Sequence, residues 1–389
     1  MKIDNLQIKQ NYPLKNLCTM KVGGPARFFI EIKNINGLKK AIEFAKEKNL
    51  EVVILSGGSN VVVSDKGFDG LVLNINIKSF EIVEESKNNV LIKIGAGEVL
   101  DKVVEQAVKN NWWGIENLSA IPGRIGGFVV QNSGAYGQEC SKVLERVEVF
   151  DREIGEIKEL KNQECGFGYR ESIFNNGKKG KYIILSVVLA LKHFPPKADQ
   201  PLAENTETLK HANNLAKLDY PDLRKYFEKR GIKNPRLKEI RKAIIFIRNN
   251  KLPDVEKIGS AGSFFKNLIL DEEEYKILEK NLRKNFNQQT VNKLEEMKNR
   301  FSQKGKIKIP TGWLIDICGF KGFEMNGVRV WEKQALVLVN ETCQARAKDV
   351  MEVFKKIRQG VYGKTGMEIK MEPELVGFSR EEKEKYFEL

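Results

Sequence analysis

The chain has 389 residues, 41% of them hydrophobic and 30% charged, with 66 Lys and Arg against 52 Asp and Glu. That length allows two or three domains with a sizeable core, and the composition excludes a disordered chain. No apolar run reaches the roughly 18 residues of a membrane span, and MKIDNLQIKQNYPLKN at the start lacks an apolar secretion segment, so a cytoplasmic protein without a membrane partner is expected.

The basic residues are spread along the chain instead of gathered in one stripe, which reads as a lysine-rich solvated surface with some of the excess serving anionic small molecules, and argues against a nucleic-acid partner. Cys18, Cys140, Cys165, Cys318 and Cys343 form no CxxC pair, so reduced thiols are expected. The two histidines, His193 and His211, sit in or beside a proline-rich stretch, which excludes a histidine triad or a histidine-rich site; no metal is expected.

The elements alternate through the first half. LKKAIEFAKEK (38–48) places Leu38, Ala41, Ile42 and Ala45 at helical spacing, and VVIL (52–55) reads as a buried strand. LIKIGAG (91–97) reads as strand and turn, followed by the amphipathic helix VLDKVVEQAVKN (99–110). RVEVF (146–150) and YIILSVVLALK (182–192) are further strands, and the mixture indicates an α+β fold. The stretch 194–208 reads as a linker. RLKEIRKAIIFIRNN (236–250) puts Leu237, Ile240, Ala243, Ile244 and Ile247 on one helical face, and Pro253 stops it. A last helix around 348–358 precedes the strand-like EIKME (368–372).

Two segments resemble phosphate loops and fail. IGAG (94–97) has Leu100 at its third glycine position, and GVYGKT (360–365) has Arg358 at its first. SGGSN is a better anion nest: Gly57 and Gly58 can turn successive N–H groups to one point, while Ser56, Ser59 and Asn60 add donors. A plain turn between strands fits it equally well. SAIPGRIGGFVVQNSGAYG (119–137) holds more glycine than one turn requires, and its candidate contacts are Ile121, Pro122, Gly123, Gly126, Gly134, Ala135 and Tyr136. Two such loops fit an extended dinucleotide cofactor.

Three further segments are weak alone. CGFGYRES (165–172) offers Arg170, a planar fork for carboxylate or phosphate. AGSFFKN (261–267) offers Ser263, a proton donor only in a setting that stabilises its conjugate base; otherwise Phe264 and Phe265 are merely core. MEPEL (371–375) offers Glu372 and Glu374 around a proline.

Taken in order, SGGSN, IPGRIGG, QNSGAYG, CGFGYRES, IRNNKLPD, AGSFFKN, GWLID (312–316) and ALVLVN (335–340) resemble the UDP-N-acetylenolpyruvoylglucosamine reductase family across nearly the whole chain. The resemblance implies a three-domain flavoprotein with a vanillyl-alcohol-oxidase-type FAD-binding fold and a C-terminal α+β substrate domain. It implies FAD, NADPH and UDP-N-acetylglucosamine enolpyruvate as cofactors and substrate, and a monomer. By the same carry-over Arg170 would stabilise the enolate, Ser263 would give the proton and Glu374 would assist. Tyr220, Lys251 and Asn267 would touch the substrate or the nicotinamide nucleotide.

The division that follows is 1–74 and 75–194 as FAD-binding subdomains and 195–250 as linker, insertion and tyrosine loop. Residues 251–360 form the substrate domain, with about 361–389 packing back on the first subdomain. Departures from the family pattern are the insertion at 197–217, Val129 for proline, Leu268 for proline and Trp331 for histidine. Two other readings compete: another FAD-dependent oxidase or dehydrogenase on the same fold, and a non-catalytic basic protein that binds anionic polymer.

Overall fold

The computed structural model describes residues 2–3, 6–193, 220–303 and 305–389. The linker reading at 194–208, the insertion at 197–217 and His211 lie outside the described residues. The chain forms two compact units, one of Met1–Gln10, Phe28–Gly57 and Gly70–Asn250, the other of Asn11–Arg27, Gly58–Asp69 and Lys251–Leu389.

The first unit is built on two sheets. One has five strands in the order Lys2–Ile3, Leu6–Pro13, Pro25–Ile32, Phe68–Ile75 and Val52–Leu55. Val52–Leu55 lies at its edge, so Val52, Val53 and Ile54 are half-buried; the expectation of a buried strand holds only for Leu55. The expected helix here runs Ile35–Glu47, buries Leu38, Ala41, Ile42 and Ala45, and is capped by the Asn34 side chain accepting from Gly37 N at 2.9 Å. The second sheet has six strands, with Tyr182–His193 central between Leu144–Asp151 and Asn89–Gly95. Residues 183–189 of that strand are buried without interruption, because both of its faces are covered. The short helix Ile125–Val130 packs on this strand, which places the second glycine-rich loop against a rigid surface.

IGAG takes its glycines for close packing. A Cβ on Gly97 would lie 2.5 Å from the Asn76 backbone, and one on Gly95 would lie 2.5 Å from Ile77 O. The helix that follows, Leu100–Lys109, buries Leu100, Val103, Val104, Ala107 and Val108.

The second unit has its own core around Phe264, Phe265 and Phe354. Its four-stranded sheet runs Gly259–Ser263, Val337–Asn340, Val328–Val330, Glu324–Met325, and Glu374–Val376 pairs in parallel with Val61–Val63. The last long helix spans Ala347–Thr365 and so outruns the expected 348–358. GVYGKT therefore lies inside a helix, and Gly360 is needed because a Cβ there would meet the Phe320 ring at 2.3 Å. Both carboxylate oxygens of Asp65 accept the N–H groups of Ala347 and Lys348 at 2.8 and 3.0 Å, capping that helix. EIKME is not a strand: only Met371 makes a bridge, to Phe265, and Glu368 instead pairs with the buried Arg358 at 2.6 Å.

Candidate active site

In the first unit the glycine-rich loops meet. A Cβ on Gly57 would stand 2.7 Å from Gly123 Cα, closer than a side chain permits, and 3.1 Å from Arg124 N. The Asn74 side chain fixes the approach, donating to Leu55 O and Ser56 O at 3.0 and 2.9 Å. Arg124 donates to Asn74 Oδ1 at 3.3 Å and to Ile75 O at 2.8 Å, tying the second loop to the first. Between them Ser56 Oγ is buried with no hydrogen-bond partner, facing Gly127. A buried hydroxyl of that kind is destabilising until an acceptor or donor meets it.

The start of the second loop is clamped. Ala120, at φ +58°, donates its N–H to Asp101 Oδ1 at 2.6 Å, and its carbonyl accepts from Arg248 Nε at 3.3 Å. Arg241 grips the same Asp101 with both nitrogens, at 2.6 and 2.9 Å. Burial pulls the Asp101 carboxyl upward, but the Arg241 guanidinium and the Ala120 N–H outweigh it and hold the group below the usual carboxylate range. Burial likewise depresses the Arg248 guanidinium, and Tyr136 and Asp101 partly offset that.

Arg170 is folded onto the same loop. Its Nη2 donates to Gly134 O at 2.8 Å and its Nη1 to Asn132 O at 3.5 Å, while the guanidinium carbon lies 5.7 Å from the Tyr169 ring centre. Ser172 Oγ donates to Val130 O at 2.7 Å, and Asn132 Nδ2 to Gly168 O at 2.8 Å. Tyr136 meets the Tyr220 ring edge-on at 5.4 Å. Among the described residues other than Gly and Asn, the left-handed ones are Lys21, Ala120, Tyr136, Arg170 and Cys343; three of these five belong to this cluster, which is where stored backbone strain points to function.

The second unit holds the remaining candidates. Gly58 O accepts from Thr19 N at 3.0 Å, and a Cβ on Gly58 would lie 1.9 Å from Leu17 O. Asn60 reaches the C-terminal segment: its Nδ2 donates to Glu372 O at 3.3 Å and its carbonyl accepts from Glu374 N at 3.0 Å. Glu372 N donates in turn to Phe264 O at 2.9 Å. Asn60, Glu374 and the residue after Ser263 thus belong to one run of backbone bonds. Ser263 ends its strand after a bulge, where Gly262 takes φ +72° and Gly262 N donates to Ser260 Oγ at 3.2 Å. Phe264 and Phe265 lie in the core near Phe354, and Ser263 itself is half-buried.

Asn267 Oδ1 accepts from Thr311 N at 3.1 Å, so this side chain caps the helix Thr311–Ile317. Trp331 donates its indole N–H to Lys251 O at 3.0 Å, an anchor for the backbone of a residue expected to touch substrate. Val129 is wholly buried in its helix. Asn74, Arg124, Asp101, Arg241 and Arg248 escaped the sequence reading. The one visible signal was an arginine among the glycines of PGRIGG.

Loops packed too closely for a Cβ at Gly57, an orphaned hydroxyl beside them and a nearby arginine fork fit the pyrophosphate and ribose of an adenine dinucleotide. With the α+β fold, they indicate the class: a protein that binds a nucleotide cofactor. Residues 26–161 match the family model described as an FAD binding domain, and 253–376 match that of the UDP-N-acetylenolpyruvoylglucosamine reductase C-terminal domain. The UDP-N-acetylenolpyruvoylglucosamine reductase of Flavobacterium johnsoniae is 34% identical over 95% of this chain and 100% of its own. That of Bdellovibrio bacteriovorus is 34% identical over 95% and 99%. The crystal structure of the Thermus caldophilus enzyme superposes with a TM-score of 0.61 at 23% identity, covering 95% and 98%, which supports the fold. The chain belongs to the UDP-N-acetylenolpyruvoylglucosamine reductase family of FAD-dependent oxidoreductases.

Among the described residues no helix is long and apolar enough to cross a membrane, and no group of three or more His, Cys, Asp or Glu could hold a metal ion. All five cysteines are free.

Proposed function

We propose that this chain reduces the enolpyruvyl ether of UDP-N-acetylglucosamine enolpyruvate to UDP-N-acetylmuramate at the expense of NADPH, a step of peptidoglycan precursor synthesis. The observation that carries it is the match over 95% of the chain to relatives of that name, with the motif residues in ordered positions in both units. When bound, FAD supplies a two-electron relay from NADPH to the terminal vinyl carbon.

The protein's part is position, charge and a proton. Ser56, Gly57 and Ile121–Gly126 would take the dinucleotide, with Gly134–Tyr136 beside it. Gly58, Ser59 and Asn60 continue the first loop. Hydride at the vinyl CH2 turns it into CH3 and leaves an electron pair next to the substrate carboxylate. Arg170 would hold that carboxylate and the developing enolate charge, since its guanidinium is oriented by Gly134 and Asn132 carbonyls. Ser263 Oγ would protonate the carbon, completing reduction of the double bond to a C–C single bond, and Glu374 would help organise that protonation. Tyr220, Lys251 and Asn267 would contact the UDP-sugar or the nicotinamide nucleotide. The exposed Tyr220 ring and the Trp331-anchored Lys251 favour this, and Asn267 also accepts the Thr311 N–H through its Oδ1.

In this reading the enzyme acts as a monomer in the cytoplasm, with the vanillyl-alcohol-oxidase subtype and the three-domain division as its framework. The test is the visible spectrum of the purified protein. It should show a flavin released on denaturation, bleached by NADPH and restored under anaerobic conditions by UDP-N-acetylglucosamine enolpyruvate. A colourless protein, or a bleached flavin that this substrate leaves reduced, would contradict the reading.

A further inference from the structure

Glu116 is 1% exposed and has no ion-pair partner among the described residues. Burial pushes its carboxyl up, and hydrogen bonds from Gly114, its own N–H and Gln138 pull it back only in part. A carboxyl group in that setting is destabilising unless each lone pair is met by a donor. Both oxygens are met. Oε2 accepts from Gly114 N at 2.7 Å, and Oε1 accepts from Gln138 Nε2 at 2.7 Å. Gln138 passes the constraint on, its Oε1 accepting from Asn117 N at 2.8 Å, and Asn117 Nδ2 donates to Tyr136 O at 2.9 Å. Ser119 Oγ closes the turn on Glu116 O at 2.6 Å.

This network ends on the hairpin that holds Arg170. Gly134 pairs with Glu139 and Ala135 with Gln138, and a Cβ on Gly134 would lie 2.6 Å from Gln138 O. Gly134 O is the 2.8 Å acceptor of Arg170 Nη2. A shift of Gln138 therefore moves the carbonyl that aims the guanidinium. We propose that Glu116, acting through Gln138 and Asn117, is the positioning residue for Arg170. It touches no reactant in this scheme, and the inference rests on the role given to Arg170 above.

The hydrogen-bond polarity of the pair provides the test. Glu116→Gln offers one acceptor where two are needed and sets an NH2 against either Gly114 N–H or Gln138 NH2. Gln138→Glu sets two carboxylates together. The double variant Glu116→Gln/Gln138→Glu reverses the donor and acceptor and satisfies Gly114, Asn117 and the pair again. In stopped flow with the FAD-loaded protein, both single variants should be bleached by NADPH at within about twofold of the native rate. Their reoxidation by UDP-N-acetylglucosamine enolpyruvate should slow about 10–100-fold, the scale of a misplacement near 1 Å. The double variant should return to within several-fold of native.

A second readout is free of the reaction. The Arg170 side-chain N–H resonance, assigned by its absence in Arg170→Lys, should shift or broaden in the single variants and return in the double. If native protein fails to be reoxidised by that substrate, the functional reading falls while the resonance still decides the positioning. Native-rate reoxidation with an unmoved resonance in Glu116→Gln would overturn the proposal. Should the single variants not fold, a folded double variant with native resonance and rate supports it, and one with a displaced resonance overturns it.

Discussion

The glycine loops of the first unit and the AGSFFKN segment of the second are built on opposite principles. The loops are defined by what is missing: Gly57 and Gly123 approach so closely that no side chain fits, and Arg170 is held by carbonyls. AGSFFKN is defined by what is buried: Phe264 and Phe265 lie at 0% exposure, and the rigid core they form carries Ser263 at its margin. A backbone-built site advertises itself as glycine density, whereas a core-supported side chain looks like any other serine.

That contrast can be broken from either side. Phe265→Ala should have the largest effect, destabilising the protein by about 3–5 kcal/mol in chemical denaturation, because the stack on Phe354 leaves a cavity. The same change should leave FAD affinity of the folded protein unaltered; a matching loss of flavin would mean that the two regions are not separately supported. Gly57→Ala should act the other way. It should weaken FAD retention in a gel-filtration assay by at least about tenfold and cost about 1–3 kcal/mol, since the methyl group meets Gly123 backbone at 2.7 Å.

Arg241→Ala should be milder, about 1–2 kcal/mol, because Asp101 keeps the Ala120 N–H and partial access to water. Its sign with pH is fixed. Asp101 is held below its unfolded value, so the stability it contributes is present above about pH 4 and lost as pH falls through the lower folded value. Without Arg241 the acid limb of the stability curve should flatten; an unchanged limb would show that the pair does not hold the loop. The smallest effect concerns the thiols. Burial pushes Cys18 and Cys165 up to about 12 and Cys318 to about 11, so at pH 8 Cys343, the one not fully buried, should be alkylated first.

The helices with strong apolar spacing were legible to within three residues at each end: Ile35–Glu47, Leu100–Lys109 and Leu237–Lys251 follow their patterns because packing of one face decides them. The strand Phe68–Ile75 is covered on nearly all of both faces and contains Gly70, while Pro25–Ile32 opens on a proline and breaks its alternation at the buried Phe29; neither was anticipated. EIKME read as a strand because alternation of Ile369 with charged neighbours mimics one, while Ile369 is simply buried in an irregular segment. The glycine loops read as a candidate cofactor site from their composition, and the structure brings Gly57 and Gly123 together. The clamp of Asp101, Arg241 and Arg248 was not, because its members are far apart in sequence and each sits in an ordinary helical pattern. Ser263, Arg170 and Glu374 gained roles only through the family pattern.

The division of labour between loops and serine is tested most directly by single-turnover stopped flow on Ser263→Ala loaded with FAD. Bleaching by NADPH should proceed at the native rate, and reoxidation by UDP-N-acetylglucosamine enolpyruvate should fall by at least about 100-fold. Reoxidation at the native rate would remove Ser263 from the chemistry and leave AGSFFKN as core alone.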